Sequence, residues 1–462
     1  MPVDSTLVRD VVVIIPGIMG SELVDKTGRP LWSVRPGALA RALRTLGGSL
    51  RDLELPKGIG NDAPDDRVRP GGLIDSLHVI PGLWSPVVGY DGLMSFLRSD
   101  RFHLVDAVPG DDGVMPNLVA FPYDWRLSNR YNARRLAKIA IPALERWRRQ
   151  PGMRDAKLVL VCHSMGGLIA RWFAEQESGR DYIRTIITIG TPYRGALRAL
   201  DTLVNGLEPG LGPLTLDLTA FARSLPSLYQ LLPQYDCLDT ADGRVSLSTV
   251  ACPGLDPTML ADAIAFHTSI ADDSAPAYAL HKVVGTRQPT LTTARVAGDG
   301  VEVSTSIDGR DQGGDGTVPR LAAELLAGRG RDVHEVANQH GELQGTRAAL
   351  DLLDGILSRQ EIVWQGAADG NPFGVSMAEV WAAGEAPHLD VTNMDDRRLR
   401  VRVSDELGEP VGRPIAVQPD GSASLGPLPE GGYRAVVESV APGGPPPVGK
   451  PFLVPDPSAG TP

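Results

Sequence analysis

The segment from Leu158 to Gly167 constrains the fold of this chain more than any other part of the sequence. It reads LVLVCHSMGG: an apolar run, then Ser164 between a histidine and a methionine, then two glycines. The run predicts a buried strand and the residues after it predict a helix, so that Ser164 occupies a sharp turn. Such a turn, a nucleophile elbow, needs small residues two positions before and after the serine. Gly166 meets this requirement, whereas Cys162 replaces the usual first glycine; the alternative is that Ser164 only caps the helix.

Short apolar runs alternate with helical patterns over the first two-thirds of the chain, which is typical of a parallel α/β sheet. The predicted strands lie at 11–15, 118–121, 157–161, 183–189, 278–284 and 333–336, and the predicted helices at about 129–147, 166–175 and 342–357. A hairpin is expected at 293–304, with Asp299-Gly300 at its turn. Two irregular stretches interrupt the alternation: 33–72, with a helix around 39–46, and 194–277, with helical pieces around Leu214 and Leu228.

The composition changes beyond Leu357. Residues 361–387 resemble a linker, and period-two alternation follows at 399–403, 415–417 and 433–437. This pattern predicts a small β-sandwich over 388–456, after a first domain at 1–360.

Charge and cysteine content exclude several functions. The chain has 45 basic and 56 acidic residues and a net charge of −11, which argues against nucleic-acid binding through phosphate neutralisation. Its 3 cysteines show no metal-ligand spacing, so neither a metal nor a cofactor is expected. The apolar runs are too short for a signal peptide or a membrane span, which predicts a cytoplasmic protein. An exposed apolar patch could still make transient contact with a membrane surface.

A serine hydroxyl needs a base to act as a nucleophile at neutral pH, and the base needs an orienting carboxylate. In this type of fold the chain order is Ser, acid, His. His340 follows the predicted strand 333–336 on a loop, whereas His334 lies within that strand and His388 beyond the linker. Asp315 lies in the turn-like segment 313–319, where a strand is expected to end. Ser164, Asp315 and His340 are therefore the predicted triad; the alternatives are a turn-stabilising Asp and a His that starts a helix.

A tetrahedral oxyanion is stabilised by two backbone N–H groups. Met165, directly after the predicted nucleophile, should supply one of them. The loop after the first strand, PGIMGS at 16–21, should supply the other from Ile18, unless it is a plain turn. His163 is expected to point away from the site and to be structural.

With these residues in place, the chain resembles the lecithin:cholesterol acyltransferase family. The matching segments occur in family order: IPGIMGS at 15–21, PYDWRL at 122–127, HSMGG at 163–167, GTPYRG at 190–195, RSLPS at 223–227 and GDGTV at 314–318. The resemblance implies an α/β-hydrolase fold with a mostly parallel sheet, and the same triad of Ser164, Asp315 and His340 with Ile18 and Met165 as oxyanion donors. It also implies that 33–72 is a lid and 194–277 a cap carrying the acyl-chain track.

Some features beside these motifs stay open. The predicted lid contains no cysteine, unlike that of the secreted relatives, which hold it by a disulfide. Trp32 is either a lipid contact or a core residue, and Asp124 and Arg126 are interpreted as a structural ion pair. Residues 428–433 resemble a strand of carboxypeptidase-regulatory or transthyretin-like sandwiches, which implies an accessory module whose protein partner is unknown.

The expected function is that of a serine acyl-ester enzyme, similar to O-acyltransferases and phospholipases, that transfers or hydrolyses an acyl chain of a lipid ester through an acyl-enzyme. Two alternatives remain: an esterase or lipase that uses only water, and a catalytically silent binding module.

Overall fold

The computed structural model describes residues 7–33, 53–56, 58–62, 64, 66–74, 89–106, 115–207, 217–271, 278–323, 333–359 and 372–455. Its strands, in chain order, are β1 (Val11–Ile15), β2 (Ser21–Val24), β3 (Pro30–Trp32), β4 (Arg69–Leu73), β5 (Leu118–Ala120), β6 (Leu158–His163), β7 (Ile183–Ile189), β8 (Leu238–Thr240), β9 (Gly243–Val245), β10 (Ala279–Gly285), β11 (Thr293–Ala297), β12 (Gly300–Ser304), β13 (Ser306–Ile307), β14 (Arg310–Asp311), β15 (Val333–Val336), β16 (Gly374–Met377), β17 (His388–Thr392), β18 (Leu399–Asp405), β19 (Ile415–Ala416), β20 (Ser422–Ser424), β21 (Gly431–Ser439) and β22 (Val448–Val454).

The α-helices of the described residues are α1 (Asp91–Leu97), α2 (Asn129–Trp147), α3 (Gly166–Gln176), α4 (Leu197–Asn205), α5 (Thr219–Ser224), α6 (Pro226–Tyr229), α7 (Pro257–Ile270), α8 (Arg320–Ala323) and α9 (Arg347–Ser358). Short 3₁₀ helices lie at Arg180–Tyr182 and His340–Gly345. None of these helices combines the length and apolarity that crossing a bilayer requires.

Six strands form a parallel sheet in the order β5-β1-β6-β7-β10-β15. Every residue of β1 and β6 is buried, as expected where helices cover both faces of a parallel sheet. Val11, Val13 and Ile15 face one core, which includes residues of α2 and α3. Val12 and Ile14 face the other, with residues of α1 and α9. Because parallel strands end at one edge, the segments after β1, β6, β7, β10 and β15 meet there.

Most predicted elements of this layer are confirmed, and β1, β7 and β15 have the predicted bounds. Two details were wrong. The hairpin turn consists of Gly298 and Asp299, because Ala297 pairs with Gly300 and the positive φ of 61° falls on Gly298. The predicted helix at 342–357 is two elements, since Thr346 caps α9 by accepting the N–H of Ala349 and so ends the preceding 3₁₀ helix.

Both irregular stretches are only partly described. The predicted helix at 39–46 and the piece around Leu214 lie outside the described residues. The described part of 33–72 is hydrogen-bonded to the segment between β5 and α2. Arg126 donates to the Leu53 carbonyl at 3.2 Å and pairs with Asp66 at 2.7 Å, and the backbone N–H of Ser128 donates to the Gly60 carbonyl at 3.1 Å. A lid function of 33–72, and an acyl-chain track in 194–277, stay predictions.

The C-terminal residues form two antiparallel sheets, β16-β17-β20 and β19-β18-β21-β22. Both contribute to one apolar core, which contains Val375, Leu389, Val401 and Val437. A small sandwich is thus present, but it begins earlier than predicted. Strand β16 lies within the predicted linker 361–387 and pairs along its whole length with β17, so the linker prediction is wrong for these residues. The strand has only four residues, of which three are buried, and this pattern was too short to predict a strand.

Candidate active site

Ser164 occupies the turn between β6 and α3 in the left-handed region, with a φ of 51°. This conformation is strained for a residue other than glycine and is common at functional sites. The turn is held by the Ser164 N–H, which donates to the Ile189 carbonyl at 2.8 Å. A Cβ on Gly166 would lie 2.6 Å from the carbonyl oxygens of Ile15 and Pro16, so only glycine fits there. The geometry is that of the predicted elbow.

Three predicted residues from distant parts of the chain form one hydrogen-bonded row. Nε2 of His340 lies 2.8 Å from Oγ of Ser164, and Nδ1 of His340 lies 2.8 Å from Oδ2 of Asp315. The side chains of all three are buried, with Ser164 and Asp315 1% exposed and His340 0%. Hydrogen bonds in such a water-poor environment are strengthened by the low local dielectric.

Asp315 reaches this row from a loop and not from the end of a sheet strand. The strand before it, β14, belongs to a separate two-stranded hairpin. Its Oδ1 accepts the N–H groups of Thr317 and Val318 at 3.0 and 2.7 Å, and its carbonyl accepts the N–H of His340 at 2.7 Å. Side chain and backbone of Asp315 therefore both orient the histidine.

The loop after β1 lies against the serine. A Cβ on Gly17 would be 2.9 Å from Cβ and 3.5 Å from Oγ of Ser164. The Gly17 carbonyl accepts the N–H of Gly20 at 3.1 Å, and Met19 between them has a positive φ of 63°, so the loop is a tight turn. Within the described residues, the backbone N–H groups of Ile18 and Met165 donate to no acceptor. Two free donors thus flank Ser164 from the two predicted positions.

His163 does not simply point away from the site, because it links two of its loops. Its Nε2 lies 3.1 Å from the His340 carbonyl and must carry the proton, since a carbonyl only accepts. Its Nδ1 therefore accepts the hydroxyl proton of Tyr90 at 2.9 Å, and the Tyr90 oxygen accepts the N–H of Gly17 at 2.8 Å. Burial, with a smaller contribution from neighbouring His340, lowers the pKa of His163 to about 3, so the ring is neutral.

Tyr90 had no signal in the sequence. It precedes α1, outside every motif, and reaches His163 and Gly17 across a separation of 73 residues. A buried hydroxyl with two partners only becomes evident once the loops are placed together.

Trp32 is a core residue in this structure. Its side chain is fully buried, its indole N–H donates to the Met19 carbonyl at 3.1 Å, and its ring packs edge-on against Trp125 at 5.4 Å. It therefore supports the loop that carries Ile18. The predicted ion pair is confirmed, with Asp124 and Arg126 joined at 2.7 Å and both buried.

Among the described residues, no group of three or more His, Cys, Asp or Glu side chains is arranged to hold a metal ion.

The family model for lecithin:cholesterol acyltransferase matches residues 110–265. The Tle4–Tli4 complex matches in structure with 16% identity and a TM-score of 0.48, covering 76% of this chain and 99% of that one. Mature lipase BlEst2 of Bacillus licheniformis matches with 12% identity and a TM-score of 0.37, covering 77% and 96%. Phospholipase PlaB from Legionella pneumophila matches with 10% identity and a TM-score of 0.24, covering 96% and 89%.

These structural likenesses are too distant to carry an argument about function, and no curated protein matches the sequence. The elbow and the parallel sheet are those of an α/β-hydrolase. Residues 110–265 of this fold are similar to the lecithin:cholesterol acyltransferase family.

Proposed function

We propose that this protein is a serine-dependent enzyme that transfers or hydrolyses the acyl chain of a lipid ester. The observation that carries the proposal is the buried row of Ser164, His340 and Asp315, with 2.8 Å between consecutive side chains, at an elbow where Ser164 has a positive φ. A structural role for Ser164 would need neither the second and third members of this row nor the strained backbone.

In the proposed reaction, Oγ of Ser164 attacks the ester carbonyl carbon while its proton passes to Nε2 of His340. The negative charge that develops on the carbonyl oxygen is stabilised by the N–H groups of Ile18 and Met165. The intermediate collapses when His340 returns the proton to the leaving alcohol, and the acyl group remains on Ser164. His340 then deprotonates water or an acceptor alcohol, which takes the acyl group and restores the serine.

Asp315 has an orienting part in this scheme. Its carboxylate holds the proton of His340 on Nδ1, so that Nε2 presents a lone pair to Ser164, and it stabilises the imidazolium that forms in the transition state. The two backbone N–H groups on Oδ1 keep the carboxylate in that orientation.

The family match supports a lipid ester as the substrate, because it covers the elbow and most of the predicted cap. We infer that the segments around the elbow select an acyl chain, and that the acyl acceptor decides between transfer and hydrolysis.

The test is labelling with a fluorophosphonate, which reacts only with an activated serine, together with the variant Ser164→Ala. We expect one adduct on Ser164 in the wild type, none in the variant, and a loss of esterase turnover of about 10⁴-fold or more with an unchanged melting temperature. Full esterase activity in Ser164→Ala, or absence of an adduct on the wild type, would refute the proposal and favour a binding module.

Transfer and hydrolysis are separated by the choice of acceptor. Labelled phospholipid vesicles are incubated with and without a long-chain alcohol, and the products are resolved by chromatography. A new ester that depends on both the alcohol and Ser164 indicates acyl transfer, whereas free fatty acid alone indicates a lipase that uses water.

A further inference from the structure

The loop that carries His340 lies between the parallel sheet and the C-terminal sandwich. This His340 loop (residues 337–345) leaves the sheet at Val336 and includes the 3₁₀ helix His340–Gly345. Its inner side presents the imidazole to Ser164, and its outer side contacts β16, β21 and β22 of the sandwich.

An ion pair between a buried carboxylate and a half-buried guanidinium forms the first contact. Glu342, two residues after His340, accepts two hydrogen bonds from the guanidinium of Arg434 on β21, at 2.6 and 2.8 Å. The carboxylate is 4% exposed. It lies directly over Gly449 of β22, where a Cβ would be 2.1 Å from Oε1 of Glu342, so the glycine creates the space for it. A two-pronged pair of this kind fixes orientation as well as distance.

Two buried glutamines form the second contact. Gln339, directly before His340, donates from Nε2 to Oε1 of Gln288 at 2.9 Å and to the Val375 carbonyl at 3.2 Å. Gln288 Oε1 also accepts the Val375 N–H at 3.0 Å, and the Gln288 backbone pairs with the Asp315 segment. The first strand of the sandwich is thereby joined to the loops of both the acid and the base.

We propose that the sandwich is a positioning module for the active site, which holds His340 and Asp315 in register with Ser164 through Arg434–Glu342 and Gln339–Gln288. The inference rests on the proposed function, because it assumes that His340 acts on Ser164. Arg434, Glu342, Gln339 and Gln288 are positioning residues: they contact the loops that bear the acid and base and do not contact the reacting atoms.

The physical reason lies in how each member of the row is held. Ser164 follows a central strand and begins a helix, so the sheet fixes it. His340 and Asp315 lie on long loops, and a displacement of about 1 Å in a catalytic group can cost on the order of 10²-fold in rate. The sandwich contacts the side of the His340 loop that faces away from the sheet. Removing these contacts should therefore lower kcat.

The experiment compares four variants of the full chain by steady-state kinetics on a short-chain ester. Arg434→Met removes one partner of the pair, Arg434→Lys keeps the charge but not the two-pronged geometry, and Gly449→Ala keeps every charge but displaces the Glu342 carboxylate. Arg198→Met is the matched control, because Arg198 on α4 pairs with Glu379 of the sandwich at 2.9 Å, and among the described residues no hydrogen bond or ion pair joins Arg198 to the His340 loop.

We expect kcat to fall about 10- to 100-fold in Arg434→Met and in Gly449→Ala, with KM changed less than about threefold. Arg434→Lys should recover a large part of the loss, and Arg198→Met should stay within about threefold of wild type. Melting temperatures establish that each variant is folded; if Arg434→Met does not fold, Gly449→Ala decides.

Two outcomes would overturn the inference. The first is a kcat within about threefold of wild type in both folded Gly449→Ala and folded Arg434→Met. The second is an equal loss in Arg198→Met, which would mean that docking in general and not the His340 loop is responsible. Ser164→Ala measured alongside separates the two proposals. If it is inactive while the Arg434 variants are normal, only the positioning role fails; if it is active, the proposed function fails.

Discussion

Replacing Asp315 by Asn alters little of the shape of the Ser164–His340–Asp315 row and should relocate one proton. Oδ1 of Asp315 accepts the N–H groups of Thr317 and Val318, so the amide oxygen of the asparagine must take that position. The amide nitrogen then faces Nδ1 of His340 at about the present 2.8 Å. Two donors cannot face each other, so Nδ1 becomes the acceptor and the imidazole proton moves to Nε2.

That tautomer cannot accept the proton of Ser164. The expected fall in kcat is about 10⁴-fold, the cost of a wrong histidine tautomer in a Ser-His-Asp triad, which corresponds to about 5 kcal/mol of transition-state stabilisation. The fold should persist, because the side chains have nearly the same size and both backbone N–H groups keep their acceptor. The melting temperature should therefore change by only a few degrees.

The assay is hydrolysis of a chromogenic ester, with the rate of fluorophosphonate labelling as an independent measure of serine activation. Asp311→Asn is the matched control: this aspartate ends β14, four residues before Asp315, is exposed and also accepts a backbone N–H, from Gly313 at 2.8 Å. Turnover in Asp315→Asn within about tenfold of wild type, or an equal loss in Asp311→Asn, would show that Asp315 does not set the tautomer of His340.

Two further predictions concern the buried polar groups around the site and in the cap. Tyr90→Phe removes the acceptor of the Gly17 N–H and the donor to His163, which should lower the free energy of unfolding by about 1–3 kcal/mol and also lower kcat. Chemical denaturation measures the first effect and ester hydrolysis the second. If neither quantity changes, the hydrogen-bonded bridge between the loops is dispensable. The Nε2 of His267 lies 2.8 Å from the Gln230 carbonyl, and burial lowers the pKa of His267 to about 4. Between pH 6.5 and that value, His267 is therefore protonated in the unfolded chain and neutral in the folded chain. His267 alone should lower the free energy of unfolding by about 1.4 kcal/mol per pH unit below pH 6.5, so His267→Gln should remove about 2 kcal/mol of the difference in unfolding free energy between pH 7.5 and pH 5. An unchanged difference would mean that His267 titrates normally in the folded protein.

Local sequence was enough to predict the elbow and its surroundings. The apolar run, the serine and the paired glycines specify a strand, a turn and a helix through interactions between near neighbours. The structure shows this turn: Ser164 has a positive φ, and Gly166 lies in close contact with the end of β1. Cys162 departs from the usual glycine, but its side chain is small and buried in the same core face as Ile15, so the turn accepts it.

Several other contacts between distant segments could not be predicted from the sequence. Tyr90 forms hydrogen bonds to residues 73 positions away. The sequence allowed Trp32 to be either a lipid contact or a core residue, and the Met19 carbonyl that accepts its indole N–H holds it in the core. Strand β16 was missed because its four residues acquire their pairing only from β17 and their side-chain contacts from the other sheet. In each case the deciding partner lies on another element, where no periodicity can reveal it.

The family match ends before two of the three residues in the Ser164–His340–Asp315 row. Residues 110–265 include Ser164 and Met165 but neither Asp315 nor His340. The proposed nucleophile thus belongs to the part of the chain that the family pattern describes, whereas the proposed acid and base lie after it, on loops that meet Ser164 only through tertiary contacts. One set of those contacts comes from a sandwich that follows the hydrolase fold along the chain. If the loops need that support, catalytic competence extends beyond the α/β layer, and substitutions at Arg434 or Gly449 should change turnover although neither residue approaches the serine.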